Sequence, residues 1–270
     1  ATDHAVVASG PPELLSLGQN VEKMRQRVRD DYDEIRLLRR VSETLQQSVL
    51  PSVLATPDRY EIAARYQPGV AGLDVGGDWF NLSDVGGGRV FFAVGDVSGR
   101  GLQAASLMAE LRYAIKAYAA ENPSPEDVLR RVGRYSKLSD HGHFATVLCG
   151  LFDISAGSVT MASAGHPTPI LTNGEEGATV VSMAVGPPIG LNHDAYTSTR
   201  LPARRGSTLL VYTDGLVERR TEPITDSIDR LRQAASVNLP LEGLIDHLLA
   251  SMVPDGARDD IVILGVRWQS

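Results

Sequence analysis

Several aspartates in this sequence stand at the ends of apolar segments that are typical of β-strands. An ionised carboxylate in such a position costs free energy unless a positive group compensates it. Strand ends can converge in space, and converging carboxylates form a site for a hard cation such as Mg²⁺ or Mn²⁺. A single Asp-Gly pair is more typical of a turn, so the metal-site prediction depends on the recurrence of the pattern. The aspartates concerned are Asp78, Asp96, Asp214 and the pair Asp259 and Asp260.

The sequence offers no covalent nucleophile for phosphate chemistry. Its one cysteine, Cys149, lies in the apolar run 146–149 and is predicted to be a buried strand thiol. Ser155 stands six residues later, where a cysteine-dependent phosphatase carries arginine. No Walker-type phosphate loop is present. His166 is a candidate general acid, but the Gly165-His166-Pro167 sequence is typical of a turn, and we interpret this histidine as structural.

Composition narrows the class of protein further. The 270 residues carry a formal net charge of -7 and are 43% hydrophobic, which is typical of a soluble globular chain. An acidic chain argues against nucleic-acid binding, because phosphate neutralisation needs excess lysine and arginine. The sequence has no apolar run of about eighteen residues, no initiator methionine and no signal peptide. We therefore expect a piece of a longer protein.

Residues 1–50 are predicted to be a signalling segment. Apolar residues follow an alternating spacing of three and four through 14–50, with polar Asp31 and Ser42 at two of the seam positions. This spacing favours a coiled-coil helix that joins two copies of the chain. An amphipathic helix lying on its own domain is the alternative. Residues 4–14 and the apolar positions after them also resemble the connector and second helix of a HAMP signalling module, whose first helix is absent.

Residues 51–270 are predicted to form one α+β domain. From Arg59 onward, short β-rich runs are separated by glycine-containing turns, and helical spacing appears at 102–120, 125–137 and 241–252. Many strands with inserted helices and no regular βαβ alternation indicate layered antiparallel sheets flanked by helices.

Five motifs occur in order along this domain: Gly77-Asp78, the segment 95–101, the segment 162–167, the segment 212–218 and Asp259-Asp260-Ile261. Together they resemble the PPM (type 2C) metal-dependent serine/threonine protein phosphatases. The resemblance is to the bacterial SpoIIE-like branch, which includes stress-response and sporulation phosphatases, and it covers roughly residues 43–268. It implies an αββα sandwich with the metal site at one edge.

The resemblance also implies a role for each catalytic acid. It implies that Asp96 bridges two Mn²⁺ or Mg²⁺ ions and that the Val97 carbonyl also coordinates. Asp214 and Asp259 are then expected to hold one ion directly, and Asp78 to contact the other.

Two further residues stay open at this point. Asp260 is the alternative to Asp259 as the ligand of that pair. The phosphate-binding arginine of eukaryotic members has no match upstream of Asp78, although Arg65 lies nearby.

The implied reaction is hydrolysis of phosphoserine or phosphothreonine on a partner protein by a water activated between two metal ions. The resemblance implies a phosphorylated anti-sigma-factor antagonist as the substrate. We expect a cytoplasmic domain that dimerises and is regulated through its N-terminal helix, with any membrane attachment made by an upstream segment.

Two other functions fit parts of the sequence. A phosphatase fold without catalysis would serve as a signalling scaffold, but the complete set of acids argues against it. The segment 76–80 is similar to the GGDEF signature of diguanylate cyclases, yet Trp79 stands where that motif needs a second acid. A cyclase would also leave the other aspartates unexplained.

Overall fold

The computed structural model describes residues 16, 20–27, 29, 60–69, 76–136, 138, 142–173, 177–191, 195–219, 222–254, 256–257 and 259–269. In this part of the chain, two β-sheets face each other and helices cover both outer faces. The predicted α+β class and αββα order are therefore confirmed. None of the described helices is long and apolar enough to cross a membrane.

Most of the predicted coiled coil over 14–50 lies outside the described residues. Within it, residues 20–27 are helical. Val21 is 46% exposed and Met24 is 70% exposed on this helix. The coiled coil and the dimer stay predictions.

The elements between Tyr60 and Trp268 comprise short strands and four α-helices. The strands are β1 (Tyr60–Gln67), β2 (Trp79–Asp84), β3 (Arg89–Val97), β4 (Ala145–Asp153), β5 (Ser158–Ala164), β6 (Ile170–Thr172), β7 (Ala178–Val180), β8 (Val185–Gly186), β9 (Thr199–Pro202), β10 (Thr208–Tyr212) and β11 (Ile261–Trp268). The helices are α1 (Leu102–Glu121), α2 (Pro125–Tyr135), α3 (Ile224–Ala234) and α4 (Leu241–Met252).

One sheet has the strand order β1-β11-β10-β6-β7, and all of its pairs are antiparallel. The other has the order β2-β3-β4-β5-β8, with β9 also paired to β5. The β5–β8 pair is parallel, which departs from the expected fully antiparallel arrangement over two residue pairs. Helices α1 and α2 pack on the second sheet, and α3 and α4 pack on the first.

The apolar runs of the central strands are continuous because both faces of each sheet are covered. In β3, Phe91 and Ala93 pack in the cluster beneath α1 and α2, whereas Phe92 and Val94 pack between the sheets. Each large side chain buried in this way contributes about 1.5–3 kcal/mol. Cys149 has no exposed surface, which confirms the predicted buried thiol.

The same packing brings the acid-bearing strand ends to one edge of the sandwich. Trp79 of β2 pairs with Gly95 of β3, so Asp78 and Asp96 stand side by side. In the other sheet, Tyr212 of β10 pairs with Ile263 near the start of β11. The ends of four strands therefore meet at this edge.

Candidate metal centre

Three of the four predicted catalytic acids converge at this edge. One carboxylate oxygen each from Asp78, Asp96 and Asp214 lies within 4.8 Å of the other two. Asp78 directly precedes β2, Asp96 lies near the end of β3, and Asp214 follows β10. The cluster therefore draws on both sheets, and only the folded sandwich brings these carboxylates together.

Asp78 is the most enclosed member, with 4% of its surface exposed. The Thr213 hydroxyl donates a hydrogen bond to Asp78 Oδ2 over 2.7 Å. The same hydroxyl oxygen accepts a hydrogen bond from the Val262 amide over 2.9 Å. A threonine of one sheet thus fixes an acid of the other sheet, and β11 fixes the threonine.

The surroundings of the three carboxylates disfavour their ionised form. Burial and the neighbouring Asp96 raise the pKa of Asp78 well above its usual value. Burial and Asp214 raise the pKa of Asp96 to about 6, although a hydrogen bond with Asp78 acts in the opposite direction. Burial is also the main cause of the raised pKa of Asp214. Enclosed carboxylates that oppose each other's ionisation fit a hard divalent cation, which prefers oxygen ligands.

The carbonyl oxygen of Val97 lies close to Gly77, as does the carboxylate of Asp96. A Cβ atom on Gly77 would lie 2.2 Å from the Val97 carbonyl oxygen and 2.5 Å from Asp96 Oδ1. The Gly77 carbonyl oxygen also accepts a hydrogen bond from the Val97 amide over 3.2 Å. A glycine therefore lets the two chain segments approach closely enough to bring both oxygens together. The coordinating role of Val97 stays a prediction, and this placement is compatible with it.

Asp259 does not join the three-carboxylate group. Its side chain is 62% exposed, and its Oδ2 accepts a hydrogen bond from Arg100 Nη2 over 3.1 Å. Its charge still raises the pKa of both Asp96 and Asp214, so it lies at the margin of the cluster. An ion held by Asp259 would have to compete with Arg100 for this carboxylate. Arg100 lies in the motif 95–101, but nothing in the sequence predicts its ion pair with a residue 159 positions later.

Asp260 has a different role. Its carboxylate accepts hydrogen bonds from the Tyr66 hydroxyl over 2.7 Å and from the Gly69 amide over 2.8 Å. A Cβ atom on Gly76 would lie 1.2 Å from Asp260 Oδ2, so the segment before β2 also passes directly over it. Asp260 thus ties the end of β1 to the start of β11, and its charge also raises the pKa of Asp78 and of Asp96. Asp259 as the ligand of the pair stays a prediction.

Two other candidates from the sequence lie elsewhere. Arg65 forms ion pairs with Glu242 over 2.5 Å and Asp246 over 3.2 Å on α4, so it does not serve as the phosphate-binding arginine. Trp79 and Phe80 are 2% and 3% exposed. The segment that is similar to a cyclase signature is therefore the start of a core strand.

One family model matches more than half of the chain, and curated proteins are similar to it. The model of "Stage II sporulation protein E (SpoIIE)" matches residues 86–269. "Phosphoserine phosphatase RsbU" of Bacillus subtilis is 24% identical over 200 residues, which cover 73% of this chain and 58% of RsbU. "Protein IcfG" of Synechocystis is 25% identical over 225 residues, which cover 73% of this chain and 34% of IcfG. The chain thus spans about a third to somewhat more than half of these curated relatives.

Solved structures share the fold. The RsbU and RsbW domains of Rv1364c from Mycobacterium tuberculosis match with a TM-score of 0.70 and 29% identity, over 78% of this chain and 62% of that one. The SiaA-PP2C domain of Pseudomonas aeruginosa matches with a TM-score of 0.67 and 20% identity, over 91% of this chain and 98% of that one.

Proposed function

Because the chain belongs to the Stage II sporulation protein E (SpoIIE) family, we propose that it is a metal-dependent phosphatase of phosphoserine and phosphothreonine in proteins. The family assignment confirms the resemblance that the five motifs carry. The B. subtilis relative RsbU is named a phosphoserine phosphatase, which supports the proposed reaction.

The convergence of Asp78, Asp96 and Asp214 is the observation that carries this proposal. A signalling scaffold without catalysis has no need of three carboxylates packed within 4.8 Å of one another, because their repulsion destabilises the fold. Burial is the largest cause of the raised pKa of each of the three acids, and repulsion within the group adds to the raised pKa of Asp78 and of Asp96. A catalytic cation site explains why the chain keeps such an arrangement.

In the proposed mechanism, the residues of this chain bind and orient divalent ions. The ligands would be Asp78, Asp96, Asp214 and the Val97 carbonyl. Asp259 would join them after it separates from Arg100. Bound Mn²⁺ or Mg²⁺ would supply an activated water at neutral pH and would neutralise charge on the phosphoryl oxygens. Thr213 keeps Asp78 in place during this reaction, and the buried thiol of Cys149 takes no part.

A phosphorylated protein is the proposed substrate, and more narrowly the phosphorylated antagonist of an anti-sigma factor. This narrower proposal rests on membership of a family that includes stress-response and sporulation phosphatases. Its support is the 29% identical match to the RsbU and RsbW domains of the M. tuberculosis protein.

The N-terminal helix is proposed to dimerise the chain and to regulate the phosphatase. Val21 and Met24 are apolar and largely exposed on the described helix, so a second copy could cover them. The location proposed for the domain is cytoplasmic, with any membrane attachment made by an upstream segment.

The experiment that tests the function is phosphate release from a phosphoserine protein by matched variants. Asp96→Asn and Asp214→Asn should each lower turnover with Mn²⁺ by at least about 100-fold, because an amide is a poorer ligand for a hard cation. Asp229→Asn is the matched control, because Asp229 is exposed on α3 and pairs with Arg232. Turnover by both cluster variants at the wild-type rate would reject the proposal, and a folded wild-type chain that releases no phosphate would favour the scaffold.

A further inference from the structure

His166 is a buried polar residue that the proposed reaction does not use. It lies in the turn between β5 and β6 and is 2% exposed. Its amide donates a hydrogen bond to Ser163 Oγ over 3.2 Å, and the Ser163 hydroxyl donates one to the His166 carbonyl over 3.1 Å. The preceding Gly165 has a φ of 69°, and a Cβ atom there would lie 2.5 Å from Pro188. The backbone therefore fixes where this imidazole ring points.

The ring points toward the strands that carry the acids. His166 Nδ1 lies 2.9 Å from Thr146 Oγ1 in β4. Thr146 is the direct partner of Asp96 across the β3–β4 ladder. Side chains of directly paired residues share one face of a sheet, with Cβ atoms about 4.5–5.5 Å apart. The hydroxyl that contacts the histidine therefore belongs to the residue beside Asp96.

The other ring nitrogen, Nε2, is buried and makes no hydrogen bond among the described residues. The backbone of Tyr212 in β10, two residues before Asp214, partly offsets the effect of burial on the pKa of the imidazole, so the ring lies near that strand. Alternation along β3 and β4 places Asp96 and Thr146 on the face toward that sheet, because Val94 and Leu148 pack there. His166 thus contacts the residue that pairs with Asp96, on the face of this sheet that is turned toward the sheet of Asp214.

His166 is uncharged, which is compatible with a structural role next to a metal site. Burial lowers its pKa to about 3, so the ring is neutral at physiological pH. A neutral imidazole offers one donor and one acceptor, and it adds no positive charge that would compete with a cation. Because the ring is enclosed, it cannot reach a protein substrate, so the general-acid alternative does not fit.

We propose that His166 is a positioning residue: its hydrogen bond to Thr146 fixes the residue that pairs with Asp96, and so holds the Asp96 carboxylate in place for the metal site. This inference rests on the proposed metal-dependent function. Ligating groups must be held to within about 0.5 Å for a site to work. Residues that support ligands from outside the coordination shell change metal affinity or activity by about 10–100-fold.

The test measures Mn²⁺ affinity by calorimetry on the metal-free chain, without any substrate. Thr146→Val keeps the shape of the side chain and removes the hydroxyl, and His166→Leu removes the ring nitrogens. We expect each substitution to weaken Mn²⁺ binding by about tenfold. The double variant should bind Mn²⁺ as well as either single variant, because both substitutions remove the same hydrogen bond. His166→Asn retains a polar atom near the position of Nδ1 and should recover most of the affinity.

A second buried threonine provides the matched control. Thr208, at the opposite end of β10 from Asp214, has no exposed surface, and its Oγ1 accepts a hydrogen bond from Arg267 Nε over 2.9 Å. Thr208→Val should lower the melting temperature and leave Mn²⁺ affinity unchanged.

The positioning role is overturned if Thr146→Val and His166→Leu also lower only the melting temperature. If His166→Leu does not fold, the Mn²⁺ affinity of Thr146→Val alone tests the positioning role: wild-type affinity overturns it, and an affinity about tenfold weaker supports it. A wild-type chain that binds no Mn²⁺ would overturn the proposed function and this inference together, whereas wild-type affinity in the variants would overturn this inference alone.

Discussion

The ion pair between Arg100 and Asp259 predicts that removal of a positive charge will strengthen metal binding. In the structure, Arg100 Nη2 lies 3.1 Å from Asp259 Oδ2. If Asp259 is a metal ligand, an incoming ion must first displace this guanidinium. Arg100→Gln removes the competitor and leaves a side chain of similar length.

The size of the effect follows from the exposure of the pair. The side chains of Arg100 and Asp259 are 46% and 62% exposed, so water and salt screen their attraction. Exposed ion pairs of this kind contribute about 0.2–1 kcal/mol. Release of that free energy would tighten Mn²⁺ binding by about 1.5-fold to fivefold, since 1.4 kcal/mol corresponds to about tenfold. The difference should shrink at high salt.

Titration calorimetry of the metal-free chain measures this change directly. Arg130→Gln is the control, because Arg130 forms an exposed ion pair with Asp127 on α2. In an Asp259→Asn background the Arg100 substitution should have no further effect, because the two residues act as one unit. Unchanged or weaker Mn²⁺ binding by Arg100→Gln, with the control at wild-type affinity, would refute the competition between Arg100 and the ion.

Three further predictions concern the acids, the approach of the backbone and the N-terminal helix. Mn²⁺ affinity, measured by calorimetry across pH, should be about tenfold weaker at pH 5 than at pH 7. The reason is that the pKa of Asp96 is raised to about 6, so at pH 5 the ion must displace a proton from this carboxyl. A Mn²⁺ affinity independent of pH would contradict this role of Asp96. Gly77→Ala should lower Mn²⁺-dependent turnover by at least about tenfold while the chain stays folded, because its Cβ would lie 2.2 Å from the Val97 carbonyl oxygen; full activity would contradict the close approach. Light scattering should show a dimer for the whole chain and a monomer when residues 1–51 are removed, because apolar side chains such as Met24 are exposed on the described helix. If both forms are monomers, the coiled coil is contradicted. Equal turnover of both forms would contradict regulation by the helix.

The edge of the sandwich that carries the clustered acids could be predicted from the sequence, because the pattern that indicates it lies within single segments of the chain. Asp96 and Asp214 each follow a continuous apolar run, and such runs are strands buried on both faces. The approximate bounds of α1, α4 and β11 could be predicted for the same reason, since their apolar spacing lies within one segment. The order of layers came from the family resemblance, because spacing along one strand does not specify which sheet it joins.

The features of the site that could not be predicted from the sequence depend on contacts between residues that are distant in the chain. Arg100 pairs with a residue 159 positions later, and Tyr66 donates to an acid 194 positions later. No periodicity in the sequence predicts such pairs. Helix α3 was not predicted, and its fully buried residues include only Ser227 and Leu231, which is a weak apolar pattern. The strands β7 and β8, of three and two residues, are too short to give an alternating signal.

The clustered acids are proposed to make this chain a metal-dependent protein phosphatase. The most direct measurement is phosphate release from a phosphoserine protein by chain freed of metal with a chelator, before and after Mn²⁺ is added in excess. We predict no release above the Asp96→Asn background before the addition, and catalytic turnover after it. Equal release with and without Mn²⁺, or no release at any Mn²⁺ concentration by a chain that binds the ion, would contradict a metal-dependent phosphatase.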